Sequence, residues 1–107
     1  MNKIVLIGRL VARPELKETS SKNNYTKFTI AVDRKVKGEA DFIDCIAWNK
    51  QAEIITKYFD KGNKIGIDGY LTINNYKDKD GNNRNSAEVV VDNFDFIESK
   101  KGDEDVK

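Results

Sequence analysis

Phe42, Asp44 and Trp48 occupy alternate positions within residues 41–48, DFIDCIAW, so on a regular strand all three project from one face. Large rings on a face that also carries a charge call for a reason other than core packing. One such reason is recognition of single-stranded nucleic acid, in which aromatic side chains stack on unpaired bases; every base has a π face, so sequence matters little. Ile43, Cys45 and Ala47 take the opposite parity and are expected inside, while Ile46 is expected outside with the rings. A second hydrophobic cluster or a subunit contact is the competing account of Phe42 and Trp48.

Enzymatic chemistry finds little to work with. The chain has no His and a single Cys, which removes a Ser-His-Asp triad, the usual Cys-His pair, thiolate clusters and the commonest zinc ligand. Asp41 and Asp44, three apart on a strand, face opposite ways and are not set up to share a proton or a metal. Residues 78–81, DKDG, have the look of a calcium loop, but aligning its Gly puts Tyr76 at the first ligand position and Ala87 at the last. A tight turn is the better reading. The expectation is a protein that is not an enzyme and takes no metal and no cofactor. Cys45 cannot form an intramolecular disulfide and reads as a small core hydrophobe.

The 107 residues suit one domain, and the net charge of +1 says little about a partner. Its distribution says more: nine Lys and Arg stand against three acids in residues 1–38, and each later third is slightly acidic. That bias fits a basic groove, and it equally fits strand edges protected by Lys. The cations best placed for phosphate contact are Lys3 and Arg9 near the start, Arg34 and Lys35, Lys50, and Lys77 and Arg84 around a turn. No apolar run is long enough to cross a membrane, and MNKIVLIGRLVA lacks a cleavage pattern, so a cytoplasmic protein is expected.

Periodicity predicts the elements that must hold these side chains. Residues 2–12 form a first strand, apolar on both faces at Ile4, Val5, Leu6 and Ile7, with Gly8 allowing a bend or bulge. Residues 17–24 read as a polar loop. Residues 25–34 alternate, with Phe28, Ile30 and Val32 inward, and the third strand follows at 40–48. Asn49 is expected to cap a helix whose stripe is Ala52, Ile55 and Phe59, and Gly62 to take the left-handed position beyond it. Residues 64–76 form a long fourth strand, with Ile65, Ile67, Leu71 and Ile73 on one face and Asp68, Tyr70, Thr72, Asn74 and Tyr76 on the other. Asp80-Gly81 marks a hairpin into a fifth strand at 85–97. Three strands, a helix and a hairpin give the all-β order of the OB-fold, a five-stranded Greek-key barrel with one short helix between strands 3 and 4.

The phrases NKIVLIGRL, RPELKET, FTIAVDR, ADFIDCIAWNKQAE, KGNKIGIDGYL, NNYKDKDGNNR and AEVVVDNFDFI resemble, in order and spacing, the bacterial-type single-stranded DNA-binding protein family. The resemblance runs over residues 2–97. It implies an OB-fold that wraps single-stranded DNA without strong sequence preference in replication, recombination and repair. It also implies a homo-oligomer, usually a tetramer, paired through the first strands, with a dimer as the smaller alternative. The family's stacking positions fall on Phe42, Trp48 and Tyr76. A further aromatic position falls on Val36, so stacking is not expected there; Tyr70 matches no firm family role, and surface packing and DNA contact both fit it.

The expected organisation is an OB-fold domain at residues 1–98 and, from its composition, a short, charged, disordered tail at 99–107. That tail has neither the Gly/Gln/Pro-rich linker nor the terminal Pro-Phe through which family members recruit repair proteins, so recruitment by that route is not expected. A short form from a phage, mobile element or competence system would explain this, as would a piece of a longer chain. The rival readings are a primosome-type OB-fold replication adaptor, whose cues are less well met, an OB-fold nuclease, and a protein-interaction module that never meets DNA.

Overall fold

The computed structural model describes residues 1–97, and the predicted tail lies outside the described residues. In chain order the elements are β1 (Ile4–Leu10), β2 (Lys17–Glu18), β3 (Asn24–Asp33), β4 (Ala40–Trp48), α1 (Asn49–Tyr58), β5 (Lys64–Lys77) and β6 (Asn83–Phe96). The sheet runs β1-β5-β6-β4-β3-β2, and β1 also pairs with β3 through Arg9↔Ala31 and Leu10↔Ile30. That second pairing closes β1, β3, β4, β5 and β6 into a barrel, the expected OB-fold. The unpredicted β2 adds a two-residue edge to β3, where the polar composition of residues 17–24 had indicated only a loop.

Alternation explains the core. Phe28 and Ile30 of β3, Cys45 and Ala47 of β4, Ile65 and Ile67 of β5 and Val89 of β6 all point inward. Helix α1 plugs one end with Ala52 and Ile55, and Phe59 just beyond it lies flat on Phe96, with ring centroids 4.5 Å apart. The stripe is therefore as predicted, but its start is not: Asn49 makes no cap bond and sits at φ 51°, with Trp48 in the N-cap position. Asn tolerates that left-handed backbone better than most residues. Gly62 does have positive φ, in the turn after the helix, where its N–H donates to the Leu10 carbonyl at 2.8 Å.

Gly8 serves close approach rather than a bulge. A Cβ there would lie 2.7 Å from the Ala31 carbonyl oxygen, at the point where β1 leaves β5 and meets β3. The bulge falls instead between Asp68 and Gly69, where Asp92 is the extra residue on β6. Its carbonyl accepts a hydrogen bond from Gln51 Nε2 of α1. Beyond the bulge the β5–β6 hairpin projects past the barrel, which exposes Leu71 and Ile73 despite their inward parity. Ile46 departs the other way: only 6% exposed, it lies between Lys27 of β3 and Val90 of β6, the one stretch where β4 has a neighbour on each side.

Two buried side chains yield predictions. Thr26 is fully buried and its Oγ1 has no hydrogen-bond partner. An unpaired hydroxyl in such a place costs about 1–3 kcal/mol, so Thr26→Val, close in shape, should raise stability by about 1 kcal/mol in urea unfolding. Burial pushes the Cys45 thiol up from 9.0 to about 12, with Asp44 and Glu88 adding to the shift. Below the ordinary value both the folded and unfolded chains keep the proton, and the contribution to stability is full. As pH climbs from about 9 towards 12 the unfolded chain loses its proton first, so stability falls across that window. Denaturation curves should show Cys45→Ala losing less stability than wild type over this range, and the native thiol should resist disulfide-exchange reagents until the protein unfolds.

Candidate nucleic-acid interface

Residues opposite one another on antiparallel strands share a face, so the register shows what surrounds each ring. Phe42 pairs with Ala31, and Ala31 pairs on its other side with Arg9, giving a row of cation, small residue and ring. Ala31 is too small to cover its neighbour, and Phe42 is 69% exposed. Trp48 pairs with Tyr25, which in turn pairs with Lys17 of β2. The Tyr25 and Trp48 rings lie 5.4 Å apart at a tilt of 40°, and Trp48 is 40% exposed. β4 pairs with β6 at Cys45 and Ile46, so the ladder between these strands does not reach either ring.

The same face continues onto the hairpin. Val90 is level with Ile46, and from there Glu88, Ser86 and Arg84 of β6 pair with Thr72, Asn74 and Tyr76 of β5. Tyr76, 52% exposed, is thus the outermost ring on the side that carries Phe42 and Trp48. Between the two ring-bearing regions lies a cleft of about 310 Å³ lined by Lys27, Thr29, Asp44, Asn74, Ser86 and Glu88. Its centre is acidic: Asp44 accepts a hydrogen bond from Thr29 Oγ1 at 2.9 Å, and Glu88 lies 4.0 Å from the Lys27 ammonium. Phosphates are repelled from such a centre, whereas base edges find donors and acceptors in it.

The predicted cations are not equally placed. Arg34 donates twice to Asp41, at 2.7 and 2.9 Å, and holds that carboxyl below the usual range. Arg84 donates to Asp78 at 2.8 Å; with backbone N–H groups of Asn82 and Asp80 it depresses the Asp78 pKa and pins the hairpin turn. Lys3 pairs with Asp68 at 3.2 Å, and Arg9 donates to the Gly62 carbonyl at 2.9 Å. Lys77 has the parity opposite to Tyr76 and projects from the other side of the hairpin. Lys35, in the β3–β4 turn, and Lys50, in the first turn of α1, are exposed. Val36, next to Lys35 in the β3–β4 turn, is exposed and offers no ring.

Sequence reasoning passed over Tyr25, Arg13, Lys17 and Lys27. They line a second cleft, of about 410 Å³, beside Trp48, together with Glu15. A signal was present, since the cationic excess lies in the first third of the chain, but without β2 nothing aligned those residues with a ring. Among the described residues no group of His, Cys, Asp and Glu is arranged to hold a metal ion, and no helix is long and apolar enough to cross a membrane.

Comparison with known proteins agrees with this architecture. The chain is 45% identical over 104 residues to the single-stranded DNA-binding protein of Clostridium perfringens, an alignment covering 95% of this chain and 69% of that one. It is 43% identical over 107 residues to single-stranded DNA-binding protein 1 of Clostridium acetobutylicum, covering 94% of this chain and 97% of that protein. Against single-stranded DNA-binding protein 1 of Staphylococcus aureus it is 42% identical over 109 residues, covering 97% and 70%. Residues 1–97, every described residue from the first strand through the hairpin, match the profile of the single-strand binding protein family, and the chain belongs to that family.

Proposed function

We propose that this protein binds single-stranded DNA without sequence preference and protects it by occupancy, in replication, recombination or repair. The observation that carries the reading is the open face on which Phe42, Trp48 and Tyr76 lie exposed beside polar strands. Bases stack on these rings and point their edges into the central cleft, while the acids there keep the phosphates to the rim. The cations we assign to that rim are Arg9, which shares a row with Phe42, and the exposed Lys35 and Lys50. Arg34 and Arg84 reach phosphate only by giving up carboxylate partners, which makes them weaker contributors than charge alone suggests. The protein is a binder and not an enzyme, and a ligand of this kind together with a reduced, buried cysteine suits the cytoplasm.

A homo-oligomer built on β1 accompanies this reading. Val5 and Ile7 are exposed, Ile7 and Ile97 close over Gly66, and the β1 edge not paired with β5 meets β3 only at Arg9 and Leu10. An open edge beside an apolar patch invites pairing with a second copy, as a dimer and, from the family resemblance, a tetramer.

Titration with poly(dT), duplex DNA and RNA, followed by Trp48 fluorescence at two salt concentrations, tests the binding. Poly(dT) should quench strongly and duplex little, with binding weakening as salt rises. Unchanged emission, and no oligonucleotide retained on a sizing column, would exclude the reading.

A further inference from the structure

We infer that the nucleic-acid strand stacked on Trp48 continues over Tyr25 and leaves the domain across β2, its phosphates held by Arg13 and Lys17. The inference rests on the function proposed above and adds an exit path to it. Lys17, Tyr25 and Trp48 form one cross-strand row on three adjacent strands, so cation and two rings face the same way within two interstrand spacings, about 10 Å. The row opens into the cleft lined by Arg13, Glu15, Lys17, Tyr25 and Lys27, where three cations outnumber one acid. Arg13 and Lys17 have no ion-pair partner among the described residues.

The edge that carries the row is held in place. Thr19 closes the β2–β3 turn, its N–H donating to the Asn23 carbonyl at 2.9 Å and its Oγ1 accepting from the Asn23 N–H at 3.1 Å. Asn24 Nδ2 donates to Glu53 of α1 at 3.2 Å, tying the edge to the helix. Other routes from Trp48 are less favourable to phosphate. Over the first turns of α1 it meets Lys50 but also Glu53, and towards the hairpin it meets Asp44 and Glu88. Among the described residues, the β2 side alone offers Trp48 a run of cations level with a ring.

The test uses Trp48 emission to follow dT oligonucleotides of increasing length at several salt concentrations. Each phosphate contact on a single strand contributes about 0.7 to the slope of log affinity against log salt, so Arg13→Gln/Lys17→Gln should flatten it by about 1.4 for long oligonucleotides. Tyr25→Leu should weaken the same oligonucleotides roughly 5- to 150-fold, and Tyr25→Phe should restore them. Arg13 and Lys17 are exposed, so the charge variant reads the path even if the Tyr25 variants disturb Trp48. Quenching of the wild type with an unaltered salt slope in Arg13→Gln/Lys17→Gln overturns the exit path alone. No quenching of the wild type by any oligonucleotide overturns the parent function.

Discussion

Replacing Phe42 and Trp48 together by Ala should weaken binding of oligo(dT) by about 2–6 kcal/mol, from roughly 1–3 kcal/mol for each base that loses its platform. The two rings are six residues apart on β4, about 20 Å along the strand, so they serve different bases and their losses should nearly add. Phe42→Ala is the cleaner single change, because Ala31 opposite makes little packing with the ring and stability should hold within about 0.5 kcal/mol. Trp48→Ala also uncovers Tyr25 and should cost more stability. Affinity measured by anisotropy and stability by urea unfolding separate the two effects. A double variant that folds and binds like wild type would remove the rings from the site, and one that unfolds would make them core.

Gly69→Ala should be the most damaging single-methyl change in the barrel, destabilising by at least about 3 kcal/mol. A Cβ at Gly69 would lie 1.9 Å from the Val90 carbonyl oxygen and 3.2 Å from the Asp92 backbone nitrogen. Both are backbone atoms, so no rotamer change relieves the contact, and the bulge itself must open. The bulge sits where β5 and β6 leave the barrel, so its loss should also swing the hairpin and move Tyr76 relative to Phe42 and Trp48. Gly81→Ala is the control. Gly81 has φ 81° with open space around it, so that change should cost only about 1 kcal/mol of local strain. Equal thermal shifts for the two variants would contradict the packing argument.

Much of the architecture was legible from local pattern. Alternation in residues 25–34 and 40–48 placed Phe28, Ile30, Cys45 and Ala47 inside and Phe42 and Trp48 outside, because side chains on a strand take sides with period two wherever the strand lies. The stripe Ala52, Ile55 and Phe59 was legible for the same reason at helical period. Alternation failed at Ile46, Leu71 and Ile73, where burial depends on how many strands flank a position and not on its parity. Ile46 gained β6 as a second neighbour, while Leu71 and Ile73 lost theirs beyond the bulge. Charge was read least well: Arg34 and Arg84 looked like free cations until the fold brought Asp41 and Asp78 beside them.

From residue types and spacing alone came the order of elements, the inward stripe and the outward parity of three rings, since these are properties of a few neighbouring residues along one strand or helix. The rows that join Arg9 to Phe42 and Lys17 to Tyr25 and Trp48, and the acid at the centre of the face, required the folded chain. They depend on which strands lie side by side and in what register, and that is settled by packing between segments far apart in sequence.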